Sequence, residues 1–592
     1  MAQELSRLAR LIITLGGFTV LAACGGGGGS IDTGTDPGSP GTPPPSGGGE
    51  QITVSGRVTF DRLQFNATLG SGLNGANPVV SPAREVVVQA VSNNSTLATT
   101  TTDADGNYSL SVPANRSMFI RVRSQMQKSG TPSWTFTVRD NTQSDAIYTL
   151  DGASFNSGTA NQTRDLHAPS GWGGNGYTSK RRAAPFAILD TVYLTKQLIL
   201  DAAPTATFDP LDLYWSEDNR TASDPFCPDK GDIGTSFYFS GVANDNCTQR
   251  RPLPEGIYIL GDYANGNGDT DEFDAHVIAH EFGHYFEDRF SRSDSIGGSH
   301  FFGERLDMRV AFGEGWGNAF GAMALNEPVY RDSASGISRD GGFNLETGED
   351  GEAQGWFSEA SVGKILWDIF DTTSESGDNV PLGFTPIYNV MRGPQVDTDA
   401  FTSIFTFADA LIEANGSFAS DIRNLLSKEN INGTGEFGMG ETNPGGDPGF
   451  MGVYREIIGT GTVTDICSTS NASGNVDGNK LGNVRFVRFV KNNSGPVTIQ
   501  ATGTASSVGL DLAEDPDIVV YRRGVSQSFG LGSDGLPIGQ SAAVRQETMN
   551  VTLDAGTYVL EVYDYQVIDP DVDPANRPST PRCMSLSITG TT

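Results

Sequence analysis

The sequence predicts a multidomain protein in which a mixed α+β core is flanked by two all-β sandwich domains. Three observations predict it. Short runs alternate apolar and polar residues between 51 and 165, apolar residues recur at helical spacing through the middle of the chain, and alternation returns from 461 to the end. A chain of 592 residues has room for about three or four such units. Lys+Arg 39 against Asp+Glu 71 leave a formal charge of −32. A surface of that sign repels nucleic acid and anionic lipid and suits a protein soluble outside the cell.

Residues 1–24 read as a targeting segment. Arg7 and Arg10 precede an apolar run over 11–23 that is too short to span a membrane as a mature helix. The run closes on Leu21-Ala22-Ala23-Cys24, which resembles the lipobox of bacterial lipoproteins. The resemblance implies cleavage before Cys24 and lipidation of its sulfur. Gly25 stands where Asp would mark inner-membrane retention, so the expected location is the outer membrane or surface of a Gram-negative cell, on a lipid anchor. Residues 25–50, rich in Gly, Pro and Ser, form a linker with nothing to bury.

From 51 the runs ITVSGRVTF, REVVVQAV, ATTTTDADGNYSLSVP and SMFIRVRS predict short strands separated by turns, a sandwich over 51–165. Val54-Ser55-Gly56-Arg57-Val58 and residues 101–113 resemble the carboxypeptidase regulatory-like sandwich, over about 51–122. That resemblance implies a non-catalytic module.

The core domain is expected over 170–460. Residues 184–203 predict an amphipathic helix with Pro185 early, where its missing N–H costs nothing. Strands are expected at 211–215, 236–240 and 256–260, followed by the loop GDYANGNGDTDEFD at 261–274. Asn265, Asn267, Asp269 and Asp271 alternate along that loop. They suit either a calcium ion or turns and caps, since the rest of an EF-hand is missing.

The next helix, 274–290 (DAHVIAHEFGHYFEDRF), carries His280, Glu281 and His284. Two histidines four apart lie one above the other on a helix and can reach one metal ion. Glu281, a step round that surface, can take a proton from a water held there without being a ligand. Ile278, Phe282 and Phe286 repeat on another face and would anchor the helix. His276, His280 and His284 are three of the five histidines in the chain. His276 suits either support of a ligand or a loop-to-helix hydrogen bond.

Zinc needs a third protein ligand, and a His six residues after His284 is excluded because Phe290 stands there. Residues 309–323 (RVAFGEGWGNAFGAM) offer Glu314. Gly313, Gly317 and Gly321 recur every four residues there, each opposing a helix by up to about 1 kcal/mol. A local rule broken that regularly predicts a smooth face for close approach of a second helix. Gly313-Glu314-Gly315-Trp316, with the His280–His284 pattern, resembles the gluzincin metallopeptidases, most closely the fungalysin family. Residues 236–241 and 256–269 resemble the edge strand and following segment of the thermolysin family.

The resemblance implies a zincin-like core, Zn²⁺ held by His280, His284 and Glu314, and Glu281 as base in peptide-bond hydrolysis. It also implies a polypeptide substrate laid along the edge strand Ser236, Phe237, Tyr238 and Phe239. Asn318 stands where these families usually carry Asp to orient a ligand imidazole. Asp288, one turn after His284, suits either that task or a solvated surface. These families take an oxyanion donor from a later His, yet no His follows His300, and Ser361 stands near the expected place. Tyr388 and His300 are the candidate donors. An inactive zincin-fold lipoprotein serving as an adhesion or binding module is the alternative.

Beyond 301 helices are expected at 359–371, 400–414 and 421–428. From 461, VRFVRFV, VTIQA, DIVVYR, MNVTL, TYVLEVYD and MSLSIT predict the second sandwich. Leu553-Asp554-Ala555-Gly556-Thr557-Tyr558 resembles the bacterial pre-peptidase C-terminal domain, which implies an accessory role. An even number of cysteines in the exported part predicts disulfides, locally Cys227–Cys247 and Cys467–Cys583.

Overall fold

The computed structural model describes residues 50–592 except 224–225, 242–251, 349–351, 373–378, 471–477, 505–513, 528–544, 569–576 and 579. The targeting segment with Cys24, the linker and Cys247 thus lie outside the described residues.

Alternation in the first strand, Gln51–Arg62, becomes burial: Ile52, Val54, Val58 and Phe60 point into the core and their neighbours do not. Gly56 interrupts the pattern because a Cβ there would lie 2.0 Å from the carbonyl oxygen of Arg164. This strand pairs antiparallel with Val79–Pro82 and Asn107–Pro113, and parallel with Gln162–Thr163 and Leu166–Ala168.

A second, larger sheet runs in the order Phe237–Phe239, Gly256–Ile259, Leu211–Trp215, Trp134–Asp140, Ser117–Lys128, Val86–Ser92, Ser95–Thr101. It crosses the division that the sequence places between 165 and 170. Leu211–Trp215 pairs parallel with Trp134–Asp140 on one side and with Gly256–Ile259 on the other. Alternation tells which side chains of a strand are buried, not which strand lies beside it. Here the sandwich and the core share one sheet and one continuous apolar core.

The helix Ala184–Ala202 begins with Pro185 in its first turn and packs against this assembly. The helices Ala275–Phe290 and Met308–Leu325 follow and lie against each other. Ile278, Phe282 and Phe286 are fully buried, each contributing about 2 kcal/mol of apolar burial. Phe286 meets the rings of Trp316 and Phe320 with centroids 5.2 and 5.6 Å apart. The second helix starts at Asp307, whose side chain accepts from the Arg309 N–H, and stops at Asn326 in the left-handed region.

A hairpin, Val329–Ala334 with Arg339–Asn344, then follows in a region where the sequence predicts helices and no strand. Charged residues and two glycines mask its alternation, and the turn carries positive φ at Ser335 and Gly336. Helices Glu359–Phe370, Phe384–Arg392, Ile404–Ala414 and Ala419–Lys428 complete the core. Among the described residues no helix is long and apolar enough to cross a membrane.

The C-terminal sandwich has a sheet in the order Tyr454–Ile457, Arg485–Lys491, Gly556–Asp564, Pro516–Arg522, Val525–Ser526. Its second sheet runs Gly461–Ser468, Arg582–Thr589, Gly495–Gly503, Gln546–Leu553. Tyr454–Ile457 places the start of this unit before the 461 expected. Cys467 and Cys583 face each other across paired strands and are joined. Cys227 is disulfide-bonded; its expected partner Cys247 is not among the described residues.

This sandwich is tied to the core by buried charge. Arg309 Nη1 meets Glu561 Oε2 at 2.7 Å while its Nε meets Asp307 at 2.9 Å. Lys480 Nζ donates to Ser299 O at 2.7 Å and meets Glu304 Oε2 at 2.6 Å. Asn479 Nδ2 donates to Gly297 O at 2.8 Å and to Ser299 O at 3.2 Å. The loop carrying His300 is therefore braced from the C-terminal unit.

Candidate metal centre

The glycines of Met308–Leu325 allow its approach to Ala275–Phe290. A Cβ on Gly317 would lie 2.8 Å from the His280 ring, and one on Gly283 would lie 3.1 Å from the Cα of Gly317. Trp316 Nε1 donates to Gly283 O at 2.9 Å and locks the two helices in register.

Three donors converge as a result. His280 Nε2 and His284 Nε2 are 3.0 Å apart, and Glu314 Oε2 lies 3.2 Å from the first and 3.4 Å from the second. Asn318 Oδ1 accepts from His280 Nδ1 at 2.9 Å, which leaves the Nε2 lone pair for the centre. Two imidazole nitrogens and one carboxylate oxygen suit zinc with one position left open.

Glu281 is buried beside them, and its Oε2 accepts the Tyr238 backbone N–H at 2.7 Å. Burial raises its carboxyl above the ordinary range; His280 and His284 oppose this only in part. A carboxylate with its proton affinity raised is a better base near neutrality.

His300 reaches the same carboxylate from the braced loop, with Nε2 3.1 Å from Glu314 Oε2 and 4.0 Å from Glu359 Oε2. Burial would lower its pKa, but Glu314 and Glu359 outweigh that and push it up to about 10. Of the two candidate donors His300 thus faces the centre. Tyr388 does not: its ring packs on Phe286 and Phe384 in the core, centroids 5.9 and 6.2 Å away. The spacing in PIYNVM turns that side chain inward with Ile387 and Met391.

Asp288 has other partners. Its Oδ2 accepts from the Tyr238 hydroxyl at 2.8 Å and meets Arg289 Nε at 3.0 Å, which directs it away from support of His284. His276 Nε2 sits 3.1 Å from Glu327 O, a helix-to-loop bond outside the centre.

The edge strand is Phe237–Phe239, antiparallel to Gly256–Ile259. Ser236 precedes it, its Oγ accepting from the Leu260 N–H at 2.9 Å and donating to Asp271. Phe237 stacks on Tyr258 at 4.9 Å. Asn265 has φ of 56° within a tight turn, the turn-forming role weighed for it.

His280, Glu281, His284, His300, Glu314 and Tyr238 line a cleft of about 730 Å³. Tyr330, Asp332 and Phe343 of the hairpin, and Glu359, line it too. None of the four stands in a sequence motif that marks it. Glu359 occupies the cleft wall on the helix where Ser361 was expected to matter. Ser361 instead donates to Glu429 Oε2 at 2.7 Å, away from the triad. Ser358 as N-cap of that helix sets the rotation and was the legible signal.

No protein-family model matches the chain, and no curated protein does. Solved structures resemble about a quarter of it. The pre-peptidase C-terminal domain of a Bacillus anthracis collagenase is 12% identical, covers 23% of this chain and 94% of its own, at a TM-score of 0.15. CorA, a surface-associated copper-binding protein of Methylomicrobium album BG8, is 13% identical over 23% of this chain and 98% of its own, at 0.16. PliG, a periplasmic lysozyme inhibitor of Aeromonas hydrophila, is 11% identical over 23% of this chain and 97% of its own, at 0.12. Likenesses of that size carry no argument about the fold or the site.

Proposed function

We propose that this chain is a zinc-dependent endopeptidase with a zincin-like, gluzincin-type core, held at the bacterial envelope by a lipid on Cys24. The observation that carries the reading is the meeting of Glu314 Oε2 with the Nε2 atoms of His280 and His284 within 3.4 Å. Those residues would hold the metal. Bound there, zinc supplies Lewis acidity toward water and a scissile carbonyl.

The chain's own groups do the rest. Glu281 accepts a proton from water at its carboxylate and returns it to the leaving nitrogen. Tyr238, which donates its N–H to Glu281, lies on the strand along which an extended polypeptide would add as a further strand. His300, whose Nε2 lies 3.1 Å from Glu314 Oε2, faces the cleft as the donor for a developing oxyanion.

The alternative is an inactive binding module of the same fold, favoured by the neutral Asn318 beside His280. Zinc content and cleavage of an unstructured protein such as casein separate the two. Zinc-loaded wild type that cleaves, with Glu281→Gln retaining zinc and losing turnover, supports the enzyme. Equal turnover in both proteins ends that reading, and stoichiometric zinc without turnover in wild type favours the module.

A further inference from the structure

The loop ahead of the helix Ala275–Phe290 places Asp269, Asp271, Glu272 and Asp274 close together, and the strand Val329–Ala334 brings Asp332 against them. Glu272 has its partners: Arg181 Nη1 donates to it at 2.6 Å and Trp215 Nε1 at 3.3 Å. The other four acids differ. Among the described residues no Lys or Arg is within ion-pair distance of Asp269, Asp271, Asp274 or Asp332. One oxygen each from Asp269, Asp271 and Asp332 lies within 4.8 Å of the others.

Each of these four acids also leaves a buried oxygen unbonded. Asp271 is 3% exposed and Asp274 0%. In each, Oδ1 is buried with no hydrogen-bond partner, as are Oδ1 of Asp269 and of Asp332. Asp274 stands at the N-cap of the helix, yet its side chain does not cap it. Its Oδ2 instead accepts from the Ser333 N–H at 2.7 Å. Ser333 adjoins Asp332 in the chain, which sets Asp274 beside the cluster; burial first, and then Asp332, hold its carboxyl well above the ordinary range. Buried carboxylates without a counter-charge are unfavourable unless they are protonated or bind a cation.

Donor chemistry selects the cation. The set is all oxygen, from a loop and an adjoining strand, which excludes a soft-ligand site. Oxygens around calcium stand about 2.3–2.6 Å from the ion, so opposite ligands are up to about 5 Å apart. Magnesium demands near-ideal octahedral geometry and keeps several waters, binding through one or two carboxylates, so a set of three or four carboxylates suits calcium. We propose that Asp269, Asp271 and Asp332, with Asp274 behind them, form a calcium site joining the hairpin to the loop ahead of the His280 helix.

Asp269, Asp271 and Asp332 also line one end of the cleft, and a hydrogen-bond route joins them to its edge strand. Asp271 Oδ2 accepts the Ser236 hydroxyl, and Ser236 Oγ in turn accepts from Leu260 N–H at 2.9 Å. An ion on Asp271 thereby steadies the residue that leads into the edge strand Phe237–Phe239. The inference does not depend on the peptidase reading, because it is tested without turnover.

The test uses the full chain. Terbium luminescence sensitised by Tyr330 is titrated and then displaced with calcium, and calcium uptake is measured by calorimetry. One saturable calcium site is expected, weakened at least tenfold in Asp332→Asn and in Asp271→Asn, with circular dichroism and zinc content unchanged. Should Asp271→Asn not fold, Asp332→Asn at the half-buried position carries the comparison. The proposal is overturned if wild type takes up no calcium, or if Asp332→Asn binds it as wild type does. A wild type that binds no calcium but prefers basic peptide side chains, a preference lost in Asp332→Asn, also overturns it and makes the cluster a substrate subsite.

Discussion

The backbone N–H of Tyr238 donates to Oε2 of Glu281 at 2.7 Å, so the edge strand and the proposed base are joined. An extended chain adding to that strand therefore meets the base at a fixed height. Glu281→Gln preserves the size of the group and an oxygen for that N–H but removes the proton acceptor. Peptide hydrolysis is expected to fall by about 10²–10⁴-fold. Zinc content, measured by atomic absorption, is expected to stay at one equivalent; its loss would place Glu281 among the ligands instead.

Close packing of two helices on glycine makes a second expectation. A Cβ on Gly317 would stand 2.8 Å from both Cε1 and Nε2 of His280. Alanine is the better helix former by about 1 kcal/mol, so a mere helix would gain from it. In this position overpacking dominates, at about 1–3 kcal/mol, and the displaced imidazole leaves the centre. Gly317→Ala should lower the melting temperature and weaken zinc affinity by tenfold or more. Unchanged zinc affinity would mean the two helices are further apart than described.

The C-terminal unit acts on the cleft through Lys480. Its Nζ holds Ser299 O at 2.7 Å and Glu304 Oε2 at 2.6 Å, and so fixes the loop that carries His300. Lys480→Met removes both bonds and leaves the buried Glu304 without its cation. A loss of about tenfold in kcat/KM is expected with zinc retained, since no ligand is touched. Normal kcat/KM with a lower melting temperature would reduce the contact to a structural one.

The acidic cluster has a pH signature with a definite sign. Burial and then Asp269 push Asp332 up to about 7, and burial followed by Asp332 raises Asp271 and Asp274 well above their ordinary range. The neighbours facing them are Asp269, Tyr330, and Glu272 with its partner Arg181. Folded pKa values above the unfolded ones mean that the folded chain binds more protons, so stability falls as pH rises from about 4 through 7. Calcium-free protein should thus melt lower at pH 7 than at pH 5. Added calcium should restore more stability at the higher pH, which paired thermal scans would read. A melting temperature that rises across that window without calcium would count against the unneutralised cluster.

Particular residues mark how far the sequence was legible. His280, Glu281 and His284 are set by the period of one helix, and Gly317 announces a close neighbour by breaking helix preference. The hairpin Val329–Ala334 with Arg339–Asn344 was missed because its charges and glycines hide the alternation that marks a strand. Tyr388, one of the two candidate donors, falls away because its place in the chain does not fix its rotation about the helix, which turns it into the core against Phe286.

The sequence by itself determined which residues could be ligands, which helix faces are apolar, and where glycine permits two backbones to touch. Only the tertiary structure decided that Asp332 meets Asp271, that His300 rather than Tyr388 faces Glu314, and that one sheet runs across the expected domain division. The physical reason is range. Periodicity along a helix or strand fixes the direction of a side chain relative to its own element, whereas meetings between distant elements depend on loop closure and packing that no local pattern encodes.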